Sequence, residues 1–367
     1  MTHPAASAPD PATFARSRRS RLIDRLAEAR LDAAVLTDPR EIAYFTASTL
    51  RSPAPACLLI RRTGETLLVC GESEHEHNAD EIVQYGWHDG GTIPTDLTPR
   101  MLAEAATRFR LDTGRIGVQF ESISAQVCRG LGLSTFQPID AVLFDLERTK
   151  DALDLLRIND AIQANLAALA AAERAIVPGA TELEVFAAAC RGAMLRAGKK
   201  VVHDGDYRCG APGGSCRNRP IASGEIYTID AWTQHNGYWS DLARAFAVGS
   251  ASNEQRELVE HVRGAHERVL PLLKPGATGG ELWQALDGAL REHASVAATG
   301  LVHHGGHGVG LRLHEAPDIN PKVNVPLRAG DVICIEPGAY TPFANIRIEE
   351  TYLITANGAR CLSKPHA

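Results

Sequence analysis

The chain has 367 residues, of which 44% are hydrophobic and 22% are charged, a balance typical of a globular protein with enough length for two or three domains. Its formal net charge of -6 at pH 7 argues against a surface for nucleic acids or anionic membranes. No run of about 18 apolar residues is present, and the first residues lack the apolar segment of a secretory signal, so we expect a cytoplasmic protein without a membrane span.

The first part of the chain alternates between predicted helices and strands. We interpret residues 1–14, which are rich in Pro and Ala, as a disordered tail, and residues 15–147 as one α/β domain with a mixed sheet. The predicted helices cover Ser17–Arg30, Pro39–Ser48, Pro99–Arg110 and Ser122–Gly132, and the predicted strands cover 31–37, 56–62, 66–70 and 115–120. His75, Glu76 and His77 are metal-ligand types, but on a polar loop we interpret them as solvated.

From residue 148 to the end at 367 the order of elements changes and then repeats. A long helix over Asp151–Ile176 is followed by the tetrapeptide PGAT at 178–181 and a second helix, and PGAT recurs at 275–278 in the same place. Capping boxes predict the starts of three helices, at Thr181 with Glu184, Ser252 with Gln255, and Thr278 with Glu281. Each half then continues into strands, which indicates an internal duplication, although helix ends that reuse Pro, Gly and Thr for capping alone are the alternative.

The segment Ile226–Phe246 has the pattern of a β-hairpin. Asn236-Gly237 between two strand-like segments favours a two-residue type I′ turn, because both turn residues need positive φ. That turn places Asp241 opposite Trp232, so that Asp230 and Asp241 are diagonal neighbours on one face, roughly 7–8 Å apart. Two carboxylates on a half-buried face repel each other unless a cation lies between them. A solvated hairpin edge with two scattered acids is the alternative.

A second predicted strand pair, over 332–336 and 346–350, carries Glu336 and Glu349. If the two halves of the duplication face each other, the four acids enclose one site, and that much negative charge requires cations. The segment LVHHGGHGVGLRLHEAP at 301–317 lies between them with four histidines. Glycines around His307 leave the backbone open to close approach, and imidazole is both a metal ligand and a proton carrier, which favours a functional role.

Eight cysteines are spread along the chain without a C-x-x-C pair. Several lie in apolar segments, such as Cys57 in ACLLI and Cys334 in VICIE, which predicts buried free thiols in a reducing compartment. Cys209 and Cys216 flank a glycine-rich segment, and a bridge between them is the weaker interpretation.

Four blocks of sequence resemble the creatinase/prolidase/aminopeptidase P family, the pita-bread metallopeptidases: IDAWTQHNGYWSDLARAF, HHGGHGVGLRLHEAP, ICIEPGAY and IRIEETYLIT. RSRLIDRLAEARLDAAVLTDPREIAYFTAS resembles the start of the family's N-terminal domain, and RTKDALDLLRINDAIQ the junction that follows it. The resemblance covers most of the chain. It implies an α/β N-terminal domain, an α+β pita-bread catalytic domain with a pseudo-twofold repeat over 148–367, and a homodimer.

The resemblance implies a site for two divalent metal ions. Their five ligands would be Asp230, Asp241, His307, Glu336 and Glu349, with Asp241 and Glu349 bridging both ions. Four carboxylates and one imidazole suit Mn²⁺ best, with Co²⁺, Fe²⁺ or Zn²⁺ as alternatives.

The implied reaction is hydrolysis of an Xaa-Pro peptide bond, of the aminopeptidase P or prolidase type, by a hydroxide that bridges two metal ions. Glu336 would move the proton to the leaving nitrogen, and His303 and His314 would orient the carbonyl or stabilise the oxyanion, with His314 contacting the substrate. Arg347 and Tyr340 match positions that support the site and the bound substrate.

Two features depart from the family pattern. Many members carry a further substrate-handling histidine that would fall near Gly213, and residues 207–230 contain no histidine. Trp232 replaces a small residue on the Asp230 face, where it would narrow the site and contact the substrate. These departures leave open a second interpretation, in which the same metal site acts on a non-peptide small molecule as an amide or C–N hydrolase or a lyase. A non-catalytic binding module is the third, and the complete ligand set argues against it.

Overall fold

The computed structural model describes residues 10–48, 56–71, 77–85, 102–103, 105, 107–109, 111 and 114–364. The chain divides into two compact units between Glu147 and Arg148. None of the helices in this described part combines the length and the hydrophobicity that a membrane crossing requires. All eight cysteines lie among the described residues and are free thiols, including Cys209 and Cys216.

Among the described residues of the first unit, six strands form a mixed sheet. The helices with described ends are α1 (Pro11–Glu28), α2 (Pro39–Thr46), α3 (Ala125–Gly130) and α4 (Asp140–Arg148), the last of which reaches the boundary, and the strands are β1 (Ala33–Leu36), β2 (Cys57–Arg61), β3 (Thr66–Gly71), β4 (Glu81–Tyr85), β5 (Ile116–Val118) and β6 (Phe136–Pro138). The strand order is β4-β3-β2-β1-β5-β6. Strand β2 is antiparallel to β1 and β3, whereas β4, β5 and β6 join in parallel, which confirms a mixed sheet.

Two predictions for this unit need correction. The predicted tail over 1–14 is wrong for residues 11–14, because Asp10 caps α1 by accepting a hydrogen bond from Ala12 and the helix begins at Pro11. His77 is buried rather than solvated, since its neighbour Asn78 donates a hydrogen bond to the carbonyl of Thr46 and fixes the segment on the end of α2.

Other predictions for the first unit are only partly covered by the structure. Residues 1–9 lie outside the described residues, as do His75 and Glu76. Of the helix predicted over Pro99–Arg110, residues 102–103, 105 and 107–109 are described and are helical.

The second unit holds four long helices and ten strands among its described residues 148–364. The helices are α5 (Ala152–Ala175), α6 (Glu182–Ala197), α7 (Asn253–Val269), followed by a 3₁₀ turn over Leu270–Leu272, and α8 (Gly279–Leu290). The strands are β7 (Val202–Asp206), β8 (Ile226–His235), β9 (Tyr238–Ala247), β10 (Gly306–Gly308), β11 (Glu315–Ile319), β12 (Val332–Ile335), β13 (Gly338–Tyr340), β14 (Asn345–Arg347), β15 (Glu350–Thr355) and β16 (Gly358–Cys361). They form sheets in the orders β7-β8-β9, β11-β10-β12-β15-β16 and β13-β14.

The two PGAT segments make equivalent contacts, which confirms the internal duplication. Gly179 (φ 93°) donates a backbone hydrogen bond to Ile221, and Gly276 (φ 92°) donates one to Leu327, each at 2.9 Å. All three predicted capping boxes are present. Each half also has its own hydrophobic core beneath its helices, with Ala168, Val185 and Ile229 in the first and Val262, Leu286 and Ile333 in the second.

The Thr278 capping box gives a prediction about stability. Thr278 Oγ1 accepts a hydrogen bond from the Glu281 backbone N–H, and the Glu281 carboxylate accepts one from the Thr278 backbone N–H at 2.8 Å. We expect Thr278→Ala to lower the free energy of unfolding by about 1 kcal/mol, because it removes the acceptor of an N-terminal helix N–H. Urea unfolding of the metal-free protein measures this, with Thr278→Ser as the control that keeps the hydroxyl. Equal midpoints for the Ala and Ser variants would contradict the capping role.

Candidate metal centre

The hairpin forms with the predicted register. Asn236 and Gly237 both have positive φ, at 51° and 83°, and Trp232 pairs with Asp241. Side chains alternate across a strand, and the neighbours of Asp230 on β8, such as Ile229, lie in the hydrophobic core. Asp230 therefore projects from the opposite face of β8, together with Trp232, and it is 7% exposed.

The second acidic pair is arranged differently from the prediction. The predicted strands at 332–336 and 346–350, both within the described residues, pair with each other only at Ile335 and Glu350. Strand β12 pairs with β15, while β14 pairs with β13. Pro337, which has no N–H to donate, follows Glu336 directly and lies where β12 ends.

Glu349 lies between β14 and β15, and its backbone N–H donates a hydrogen bond of 3.1 Å to the carbonyl of Ala243 on the hairpin. Ala243 is the residue paired with Asp230, so this bond brings Glu349 next to the hairpin acids.

The five predicted ligand side chains converge. Carboxylate oxygens of Asp230, Asp241 and Glu349 lie within 4.8 Å of one another. His307, on β10, places Nε2 at 3.6 Å from Asp241 and 3.7 Å from Glu336. Its Nδ1 lies 2.9 Å from the Gly308 carbonyl, so the proton is on Nδ1 and the Nε2 lone pair faces the carboxylates. All five side chains are buried.

The orphaned oxygens of this cluster fit a site for cations. Oδ1 of Asp230, Oδ1 of Asp241 and both oxygens of Glu349 are buried and accept no hydrogen bond from any described residue. Burial raises the pKa of Asp241 and of Glu349 well above their ordinary values, and repulsion from a neighbouring carboxylate, Asp230 for Asp241 and Asp241 for Glu349, reinforces the effect. Buried carboxylates without donors are costly unless a cation neutralises them, and a set of hard oxygen ligands with one imidazole suits a divalent metal.

Arg347 and Tyr340 connect Asp230 to His303. Arg347 pairs with Asp230 through Nη1, and its Nε and Nη2 donate to the Tyr340 hydroxyl at 3.0 and 2.9 Å. His303 Nδ1 donates to the His304 carbonyl, so Nε2 accepts from Tyr340 at 3.0 Å. Burial lowers the pKa of His303 to about 4, so this imidazole is neutral at pH 7. Both of its nitrogens are engaged, and a donor to substrate would require His303 to leave Tyr340.

The remaining predicted site residues lie at the edge of the cluster. The His314 ring is exposed, its centroid is 4.0 Å from that of His307, and one of its nitrogens lies within 4.8 Å of ligand atoms of His307 and Asp241. Trp232 is half-buried beside them. A further histidine would fall near Gly213. The Asp206 carboxylate fills the space that a side chain at Gly213 would enter, since a Cβ there would lie 2.3 Å from Asp206 Oδ2.

Two neighbours of the site were not predicted. His304 Nδ1 lies 3.1 Å from Glu336 Oε1; the paired histidines at 303 and 304 were the available signal. Cys334 Sγ lies within 4.8 Å of ligand atoms of His307 and Glu349, because Cys334 and Glu336 share the face of β12 that points away from the core.

Comparison with known proteins decides the family. Residues 157–356 match the model of metallopeptidase family M24, and residues 18–146 match the creatinase/prolidase N-terminal domain. The chain belongs to metallopeptidase family M24. The predicted resemblance, the pita-bread fold and the assignment as a metallopeptidase are confirmed.

Relatives of this M24 metallopeptidase match it over most of its length. A Pyrococcus furiosus protein named Xaa-Pro dipeptidase is 30% identical over 361 residues, which cover 95% of this chain and 98% of that protein. Another Xaa-Pro dipeptidase, from Pyrococcus horikoshii, is 33% identical over 63% of this chain and 67% of its own. The solved prolidase structure from Pyrococcus furiosus has a TM-score of 0.76 at 26% identity, and the match covers 94% of this chain and 100% of that one.

Proposed function

We propose that this M24 metallopeptidase cleaves Xaa-Pro peptide bonds with the help of two divalent metal ions. The observation that carries the proposal is the convergence of five buried ligand side chains with orphaned oxygens. The name Xaa-Pro dipeptidase of a relative that matches 95% of the chain supports the substrate class.

Three overlapping groups of ligand atoms support a pair of ions rather than one. Asp230, Asp241 and Glu349 form the first group, and Asp241 and Glu349 each recur in a group that contains His307. We assign Asp230 to one ion, His307 and Glu336 to the other, and Asp241 and Glu349 to both. Ions held there would lower the pKa of a shared water and polarise the scissile carbonyl. Mn²⁺ is the metal we propose, on the basis of the mostly carboxylate ligand set.

The surrounding residues have distinct roles in this proposal. Glu336 takes the proton of the attacking water and delivers it to the leaving nitrogen. Its buried carboxylate lies 3.7 Å from His307 Nε2, which places it beside the proposed ions and their shared water. His314, exposed at the edge, orients the substrate carbonyl. Tyr340 and Arg347 hold Asp230 and His303 in place through their hydrogen bonds.

The environment and assembly of the enzyme complete the proposal. We propose a cytoplasmic enzyme, since all eight cysteines are free and such thiols are typical of a reducing compartment. We also propose a homodimer, on the basis of the family membership alone. Size-exclusion chromatography with light scattering measures the second point, and a monomer at micromolar concentration would contradict it.

The proposed function is tested by a cleavage assay on Mn²⁺-loaded protein that offers Xaa-Pro and Xaa-Pro-Yaa peptides side by side, with products identified by mass. We expect cleavage at the Xaa-Pro bond. Cleavage of the dipeptide alone identifies a prolidase, and release of Xaa from the longer peptide identifies an aminopeptidase P. Cleavage of neither, by protein shown to hold its metal, would contradict the proposal and favour a non-peptide substrate.

A further inference from the structure

Strand β7 brings a fifth carboxylate to the edge of the metal centre. Asp206 is the last residue of β7 and pairs with the ligand Asp230 on β8. Directly paired residues project from the same face of a sheet, so both side chains lie on the side of the metal centre. Unlike the five buried ligands, the Asp206 side chain is 30% exposed, and a molecule that enters from solvent can reach it.

The loop that follows β7 is shaped around this carboxylate. The backbone N–H of Gly214 donates a hydrogen bond of 2.7 Å to Asp206 Oδ1. Gly213 leaves the space for Oδ2 free, because any side chain there would place its Cβ 2.3 Å from that oxygen. Oδ2 lies 4.0 Å from Arg347 Nη1, the nitrogen that pairs with Asp230, so this oxygen is on the side of the metal centre.

The charge of Asp206 is only weakly compensated within the protein. Among residues 114–364, the basic side chain that approaches Asp206 is Arg347, whose Nη1 lies 4.0 Å from Asp206 Oδ2. Arg347 is already bound to Asp230 and to the Tyr340 hydroxyl. Metal ions at the centre would be held by the five buried ligands, which leaves the Asp206 carboxylate available to a molecule that enters from solvent.

We propose that Asp206 is a specificity-determining residue that binds a protonated amine of the substrate. This inference rests on the proposed function, since it assigns the amine-binding group of the same site. A partly exposed carboxylate with an oxygen that accepts no hydrogen bond from the described residues can accept charge-assisted hydrogen bonds from an ammonium group. Two parts of a peptide carry this chemistry, the α-amino group and a lysine side chain, and the test distinguishes them.

The test measures binding of three non-peptide ligands to the Mn²⁺-loaded protein by calorimetry. Lysine and norleucine differ in the side-chain amine, and lysine and Nα-acetyl-lysine differ in the α-amine. We expect the wild-type protein to bind lysine about tenfold more tightly than norleucine, Nα-acetyl-lysine or both. Asp206→Asn is expected to lose that preference, because the substitution removes one charge-assisted hydrogen bond. The ligand for which the preference is lost identifies the amine that Asp206 binds.

Two further variants make the result specific. Asp204→Asn removes one negative charge from the same strand, and because Asp204 is exposed and bonds its own neighbour Gly205, this variant is expected to keep the preference. Gly213→Ala displaces the Asp206 carboxylate without removing it and is expected to lose the preference, so this variant tests the inference if Asp206→Asn does not fold.

Equal discrimination by wild type and Asp206→Asn, or no discrimination by wild type, would overturn the inference. None of the ligands contains a peptide bond to proline, so failure of the Xaa-Pro assay leaves this result readable.

Discussion

Glu349→Gln is expected to reduce peptidase activity roughly a thousandfold or more, because polarisation by the metal ions contributes several kcal/mol to catalysis and each 1.36 kcal/mol is a factor of ten in rate. Both Glu349 oxygens are buried without hydrogen-bond partners among the described residues, and one of them lies within 4.8 Å of Asp230 and Asp241. The substitution keeps the size of the side chain but removes the charge, so we also expect at most one tightly bound ion per chain by elemental analysis.

The matched control for Glu349→Gln is Glu350→Gln. Glu350 is the adjacent acid, but its carboxylate pairs with Arg244 and accepts a hydrogen bond from Ser363, and it belongs to none of the ligand groups found among the described residues. We expect Glu350→Gln to change thermal stability and to leave the number of bound ions at the wild-type value. Loss of metal in both variants, or normal turnover of Glu349→Gln, would contradict the assignment of Glu349.

Without metal, Glu349→Gln is expected to be more stable than the wild-type protein, although it is the less active enzyme when metal is supplied. Burial and the Asp241 carboxylate raise the pKa of Glu349, whereas glutamate in the unfolded chain titrates at about 4.3. An acid with a raised pKa destabilises the folded state once pH exceeds its unfolded value, and this destabilisation is absent below that pH. Without metal at pH 7, Glu349→Gln is therefore expected to melt at a higher temperature than wild type.

Glu336→Gln is expected to lower kcat by about 10²–10⁴-fold with little change in KM, since an amide cannot carry the proton from water to the leaving nitrogen. Glu336 is buried, and its Oε1 lies 3.1 Å from His304 Nδ1 and 3.7 Å from His307 Nε2. Kinetics at saturating Mn²⁺ measure this effect, so that weaker metal binding does not imitate a lost proton carrier. A kcat within tenfold of wild type, with metal bound, would contradict the proton-transfer role.

Local sequence rules predicted the hairpin and the helix starts with accuracy. Asn236-Gly237 can form a tight turn between its strands in only a few ways, so one dipeptide sets the pairing of Asp241 with Trp232. The capping box at Thr278 likewise defines the start of α8 by contacts three residues apart. In both cases the deciding interactions are local.

Features that depend on distant contacts were missed or misplaced. Strand β12 pairs with β15 and reaches only the last residue of the segment 346–350, Glu350, because Pro337 and the short β13–β14 hairpin separate Glu336 from Glu349. Strand β7 has few strand-forming residues, and only its pairing with β8 makes it a strand. No strand was predicted between the helix after the first PGAT and the hairpin, so the pairing of Asp206 with Asp230 was missed.

The most direct test of the dinuclear centre is anomalous diffraction from Mn²⁺-soaked crystals. Two peaks are expected per chain, one in contact with Asp230, the other with His307 and Glu336, and both in contact with Asp241 and Glu349. A single peak, or peaks that are not bound by these five side chains, would contradict the account.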